Sequence, residues 1–141
     1  MTSRVLLGPA VFALLEVGCG GVGEYTSLTI GSDGRGLISY QDTPNGLLKV
    51  AHCENGSCSS AAASVLDRAD AGAYTSIATG VDGLGLVSYQ GDGGALKVAH
   101  CHDRGCTSAS VSVVDGSRTV AYTSIAIGRD GLGLLSYRGY F

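Results

Sequence analysis

The chain contains a segment beginning Tyr-Thr-Ser that occurs three times. Its copies start at Tyr25, Tyr74 and Tyr122, which are 49 and 48 residues apart. A shared Leu-x-Ser-Tyr piece follows each copy, and Leu-Lys-Val-Ala-His-Cys follows the first two. A repeat of this length is typical of proteins that stack one small structural unit on the next. The 141 residues therefore accommodate about two and a half similar units.

Each unit is predicted to consist of four short antiparallel strands. In the second unit the candidate strands are residues 75–79, 84–90, 95–101 and 108–114, with turn residues between them. Asp-Gly between apolar runs is a strong hairpin signal. Four strands in about 48 residues match the size of a β-propeller blade. We therefore expect an all-β fold of β-propeller-like blades, with a β-sandwich of the same hairpins as the alternative.

The repeat divides the chain into three units. Repeat 1 spans residues 25–73, repeat 2 spans residues 74–121, and residues 122–141 form a partial repeat 3. Closed propellers typically contain 4–8 blades, more than this sequence provides. The missing blades belong to a longer protein, or copies of the chain form a homo-oligomer that closes the propeller or covers its sheet edges, or the stack stays open.

Residues 1–24 allow two interpretations. One positive charge, at Arg4, precedes an apolar run of 11 residues, a pattern that resembles a secretory signal. Cys19 is then a candidate for lipid attachment. In the other interpretation residues 10–16 align with residues 61–67 and form the last strand of a preceding blade. The apolar run is shorter than the roughly 18 residues that a membrane-spanning helix needs.

Four of the five cysteines lie in register between the units. Cys53 precedes Cys58, and Cys101 precedes Cys106, each with four residues between. Cysteines at the ends of adjacent antiparallel strands lie close enough to form a disulfide, which favours an oxidising compartment. Free thiols and a metal site remain alternatives. Structural zinc usually shows Cys-x2-Cys spacing and four ligands, so no metal site is predicted.

The other candidate site residues are also repeated. His52 and His100 precede cysteines, and they are either ligand contacts or general bases, or else hydrogen-bonded strand residues. No Ser or Asp was recognised at a spacing that completes a nucleophilic site, so no catalytic residue is predicted. Asp-Gly turns, as at Asp82, are expected to bond their own loop backbone.

Tyrosines end the second strand of each unit, and others open the first strand. Tyr40, Tyr89 and Tyr137 are either platforms for sugar rings or packing residues between blades. The tyrosines that open the first strands allow the same two interpretations. The only lysines, Lys49 and Lys97, are expected to be solvated edge charges. With a net charge of −3 and no basic stripe, nucleic acid is not an expected partner.

The repeat resembles that of a group of secreted bacterial proteins that are frequent in myxobacteria. The likeness covers residues 21–137 and includes Tyr-Thr-Ser-Ile-Ala-Ile-Gly-x-Asp-Gly-Leu and Leu-Lys-Val-Ala-His-Cys-x4-Cys. Such proteins look like β-propellers and usually carry more units. The resemblance implies a propeller-like fold and secretion. It implies no particular activity.

These patterns favour a non-enzymatic binding or scaffold module that is secreted, periplasmic or at the cell surface, lipid-anchored if Cys19 is modified. The expected partner is a glycan or a cell-surface protein, and no cofactor is predicted. The alternatives are a fragment of a sialidase-like propeller hydrolase or lyase and a structural fragment without a separate function. Such an enzyme needs one asymmetric cluster of carboxylates, Arg and Tyr. Near-identical units with sparse charges suit repeated weak binding better.

Overall fold

The computed structural model of this chain describes residues 2–7, 10–15 and 22–141, the first two ranges as strands only. It confirms the expected all-β class, with antiparallel four-stranded sheets. β1 (Thr2–Leu7) and β2 (Ala10–Leu15) form a two-stranded hairpin. Cys19, the candidate for lipid attachment, lies outside the described residues. No helix in the described part of the chain is long and apolar enough to cross a membrane.

Repeats 1 and 2 each form one four-stranded antiparallel sheet in which strands follow chain order. The sheet of repeat 1 contains β3 (Val22–Ile30), β4 (Gly36–Asp42), β5 (Leu47–Cys53) and β6 (Ala61–Asp67). The sheet of repeat 2 contains β7 (Ala73–Thr79), β8 (Gly85–Gln90), β9 (Leu96–Cys101) and β10 (Ala109–Asp115). Repeat 3 contributes the hairpin of β11 (Thr119–Ile127) and β12 (Gly133–Tyr140).

The turns follow from the turn residues in the sequence. At the Asp-Gly turns, Gly34, Gly83 and Gly131 have φ values of 77°, 79° and 82°. This left-handed conformation is one that glycine adopts without a steric penalty. Short 3-10 turns, Thr43–Asn45 and Asp92–Gly94, join the second strand of repeats 1 and 2 to the third.

The units are stacked through their first strands. β3 lies against β7, and β7 lies against β11. The serine of the Tyr-Thr-Ser motif makes this contact, because Ser27 Oγ accepts a hydrogen bond from the Ile77 amide and Ser76 Oγ accepts one from the Ile125 amide, both at 3.2 Å. The same bond in the same register therefore recurs from one unit to the next.

The hydrophobic core lies between the two four-stranded sheets. Both sheets contribute, with Leu37, Leu48 and Val50 from repeat 1 and Val87 and Tyr89 from repeat 2, all at most 1% exposed. The disulfide-bonded Cys101 and Cys106 belong to the same cluster. The core is thus a product of stacking, as repeat architectures require.

The two lysines are not the solvated edge charges that the sequence suggested. Lys97 is only 8% exposed, because β9 is an interior strand of its sheet. Its ammonium group pairs with Asp92 and lies 3.5 Å from Asp67 of repeat 1. Lys49 pairs with the buried Asp42 at 2.6 Å. A buried ammonium group needs such partners, because an unpaired charge is costly away from water.

Candidate functional site

Three tyrosines form a row along the stacked first strands. The ring centroids of Tyr25 and Tyr74 are 4.6 Å apart, and those of Tyr74 and Tyr122 are 4.8 Å apart. All three have a φ of 53° or 54°, and the strand register shifts beside each of them. A left-handed conformation is uncommon for a residue with a side chain, and repeated backbone strain of this kind is a pointer to function.

The row lines an open groove of about 280 Å³. Its lining consists of tyrosines and threonines only: Tyr25, Thr26, Tyr74, Thr75, Tyr122 and Thr123. Tyr25 is 42% exposed and Tyr122 is 63% exposed. A hydrogen bond with the Tyr25 side chain raises the pKa of Tyr74. The groove therefore presents aromatic rings and neutral hydroxyl groups, without a charged side chain in its lining.

The tyrosines at the ends of the second strands lie elsewhere. Tyr40 is 3% exposed and Tyr89 is fully buried, so neither ring offers a surface to a ligand. The Tyr89 hydroxyl donates a hydrogen bond to Asp67 Oδ2 of the preceding unit at 2.7 Å, and burial raises the pKa of Tyr89. Tyr137 is exposed, and it bonds Asp115 in the same way at 3.0 Å. These residues join neighbouring units.

Each candidate histidine pairs with the aspartate of its own Asp-Gly turn. His52 Nε2 lies 2.8 Å from Asp33 Oδ2, and His100 Nε2 lies 2.7 Å from Asp82 Oδ2. The sequence comparison had not recognised this partner, although it stands 19 and 18 residues before the histidine in the two units. The pair connects the first turn of a unit with its third strand, and it lies apart from the groove-lining residues.

The same aspartates hold their turns, as predicted. Asp33 Oδ1 accepts the Arg35 amide and Asp82 Oδ1 accepts the Leu84 amide, each at 3.0 Å. These backbone hydrogen bonds, followed by the hydrogen bond and charge of the histidine, lower the pKa of both carboxyl groups against a smaller desolvation effect. The carboxylate form is thus the one that the folded chain favours.

Lowered carboxyl pKa values predict a loss of stability in acid. A carboxyl group whose pKa is lower in the folded chain stabilises the fold above its unfolded pKa of about 4, and this contribution disappears as pH falls through the folded pKa. We expect the melting temperature to fall as pH decreases below about 4. Thermal melts across this range test the expectation.

The variant Asp82→Asn should flatten that acid dependence, because asparagine keeps a turn acceptor but does not ionise. Asp130→Asn is the matched control, since Asp130 accepts the Leu132 amide at 3.0 Å without a described histidine partner. A profile that is as steep for Asp82→Asn as for the wild-type chain would contradict the assignment.

Both predicted disulfides are confirmed. Cys53 pairs with Cys58 and Cys101 with Cys106, with Cα atoms 4.8 and 4.9 Å apart. Disulfides are typical of oxidising, extracytoplasmic environments. Among the described residues no group of three or more His, Cys, Asp or Glu side chains is arranged to hold a metal ion.

Comparison of the chain with protein-family models, curated proteins and solved structures found no match. The functional argument therefore depends on the geometry of this chain. The groove along the tyrosine row is the feature that most resembles a binding surface, because it combines exposed aromatic rings with hydroxyl groups that have no charged neighbour in the lining.

Proposed function

We propose that this protein is a non-enzymatic, extracytoplasmic binding module whose β-propeller-like repeats present the tyrosine row to a neutral glycan. The observation that carries the proposal is the groove lined by three tyrosines and three threonines. Aromatic rings offer apolar faces and edges at low entropic cost, and their hydroxyl groups exchange hydrogen bonds with a polyhydroxylated ligand. The absence of charge in the lining disfavours acidic ligands.

Repetition supports binding rather than catalysis. The row supplies nearly equivalent contacts from successive units, an arrangement that suits weak binding multiplied along an extended ligand. A sialidase-like hydrolase would need acidic and cationic groups converging on one bond. The lining residues of the groove include neither. The His–Asp pairs are accounted for by the turns that they brace.

The location outside the cytoplasm and the blade-like arrangement belong to the same proposal. Two disulfides suit an oxidising compartment, and secretion places the protein there. The four-stranded sheets stacked through their first strands support β-propeller-like blades. In a propeller those strands line the axis, so that the tyrosine row would follow it.

Binding is tested by titrating neutral polysaccharides into the protein with a calorimeter. We expect Tyr122→Ala to weaken binding roughly fivefold, because an aromatic contact contributes about 1 kcal/mol. Tyr122 is 63% exposed, so its replacement leaves the core intact. The double variant Tyr25→Ala/Tyr122→Ala should weaken binding further.

Tyr137→Phe is the matched control, because Tyr137 is an exposed tyrosine outside the groove lining. It should bind as the wild-type chain does. Binding of a protein partner instead, with no response to any neutral polysaccharide, would overturn the glycan assignment. Equal binding by the Tyr122→Ala and wild-type chains would overturn the role of the row.

A further inference from the structure

Stacking gives every unit two distinct faces. The front face, formed by alternate residues of the second strand, is turned toward the following unit. In repeat 1 it contains Leu37 and Ser39, which are 1% and 0% exposed, and Ser39 Oγ is hydrogen-bonded to Thr75 Oγ1 of repeat 2. In repeat 2 the equivalent Ser88 Oγ lies 2.8 Å from Thr123 Oγ1. The front face thus receives the threonine of the next Tyr-Thr-Ser motif.

The back face, formed by the first strand, carries that threonine and the apolar residue two positions later. Thr75 and Thr123 are 7% and 8% exposed, and Ile77 and Ile125 are 5% and 8% exposed. Each pair is covered because a front face of the preceding unit lies against it. The contact between units is therefore one interface that occurs twice in the described chain.

One front face and one back face of this kind are uncovered. On repeat 3 the front-face Leu134 is 71% exposed, against 1% for its equivalent Leu37, and Ser136 is exposed as well. On repeat 1 the back-face Leu28 is 62% exposed and Thr26 is exposed, where the equivalent residues of repeats 2 and 3 are buried. The two surfaces are the halves of the interface that already joins the units.

Charge adds a reason for these two surfaces to meet. The second strand of repeats 1 and 2 ends with a glutamine, and Gln41 Nε2 reaches forward to the Ala71 carbonyl oxygen, just before the next Tyr-Thr-Ser. Repeat 3 has the exposed Arg138 in this place. Repeat 1 has the exposed Glu24 directly before its own Tyr25, where repeats 2 and 3 have alanine. The two departures from the repeat carry opposite charges.

We propose that the front face of repeat 3 binds the back face of repeat 1 of a second copy of this chain. In that contact Ser136 meets the second copy's Thr26, Leu134 packs on its Leu28, and Arg138 lies beside its Glu24. The second copy's tyrosines continue the row beyond Tyr122. Because the two faces differ, the contact is head-to-tail, and it generates a ring where the rotation closes and a filament where it does not.

The inference goes beyond the proposed binding function and does not depend on it, since it concerns mass and not a ligand. Sedimentation or light scattering of the full chain, with its disulfides intact, should show a mass that rises with concentration. Leu134→Asp disables the front face and Leu28→Asp the back face. Each variant alone should associate at least about tenfold more weakly, because the contact would bury an unpaired charge.

A mixture of the two variants separates this interface from unspecific adhesion. Each variant keeps the face that the other has lost, so an equimolar mixture should form a one-to-one heterodimer and nothing larger. Glu24→Arg should also weaken association, and adding Arg138→Glu in the same chain should restore it. Circular dichroism verifies that every variant is folded.

Two results would overturn the proposal. One is a wild-type chain that stays monomeric at about 100 μM, a concentration at which even a weak specific contact is populated. The other is a mixture of folded Leu134→Asp and Leu28→Asp chains that remains monomeric. Glycan binding measured on the monomeric Leu28→Asp chain reports on the tyrosine row separately, so that one idea can fail without the other.

Discussion

Replacing Gly85 with alanine is expected to lower the free energy of unfolding by about 2–3 kcal/mol, the upper part of the range for overpacking a core. Gly85 begins β8, and a Cβ atom there would lie 2.9 Å from Cys101 Sγ. That sulfur is held in a disulfide and is buried, so it cannot move aside as a flexible side chain would. Leu37 Cδ1 at 3.6 Å and Ile77 Cδ1 at 3.7 Å close the remaining space.

Gly133→Ala is the control, because Gly133 holds the equivalent place at the start of β12. The nearest atom to its Cβ would be Ile125 Cδ1 at 3.7 Å, an ordinary contact. Alanine there should be neutral, or stabilising by about 0.5 kcal/mol through a less flexible unfolded chain. Urea unfolding of both variants measures the difference. Equal midpoints for Gly85→Ala and Gly133→Ala would contradict the steric argument.

Much of the fold could be predicted from the sequence, because it depends on local signals. Asp-Gly turns between short apolar runs predict hairpins, and four of them within one repeat predict a four-stranded sheet. The observed β8, Gly85–Gln90, differs from the predicted strand by one residue. The disulfides were also predictable, since cysteines at the ends of paired strands, such as Cys101 and Cys106, necessarily lie close together.

The candidate site was less predictable, because it depends on contacts between units. Alternation along a strand does not distinguish an aromatic residue that meets solvent from one that meets the next sheet. Tyr89 is buried and Tyr122 exposed for that reason, although both occur in repeated motifs. The pairing of His100 with Asp82 also joins two non-adjacent pieces of a unit. Its equal spacing in both repeats was the signal that could have revealed it.

The buried charges between the units lead to the second large effect, at Asp67. Its Oδ2 atom accepts the Tyr89 hydroxyl at 2.7 Å and lies 3.5 Å from Lys97 Nζ, so a carboxylate of repeat 1 serves two groups of repeat 2. The side chains of Asp67 and Lys97 are 12% and 10% exposed. Asp67→Ala should cost about 3 kcal/mol, because it leaves a buried hydroxyl unpaired and removes one partner of a buried ammonium group.

Asp115→Ala tests whether burial, and not the hydrogen bond alone, makes Asp67 important. Asp115 closes β10 as Asp67 closes β6, accepts a turn amide from Ser117 at 2.9 Å, and bonds the Tyr137 hydroxyl at 3.0 Å. Tyr137 is 40% exposed, so water can replace the lost acceptor, and the loss of stability should be clearly smaller. Denaturant unfolding of the two variants provides the comparison. If both lose the same free energy, the stacking of repeat 2 on repeat 1 does not depend on the buried charge of Asp67, and the core between the sheets holds the units together alone.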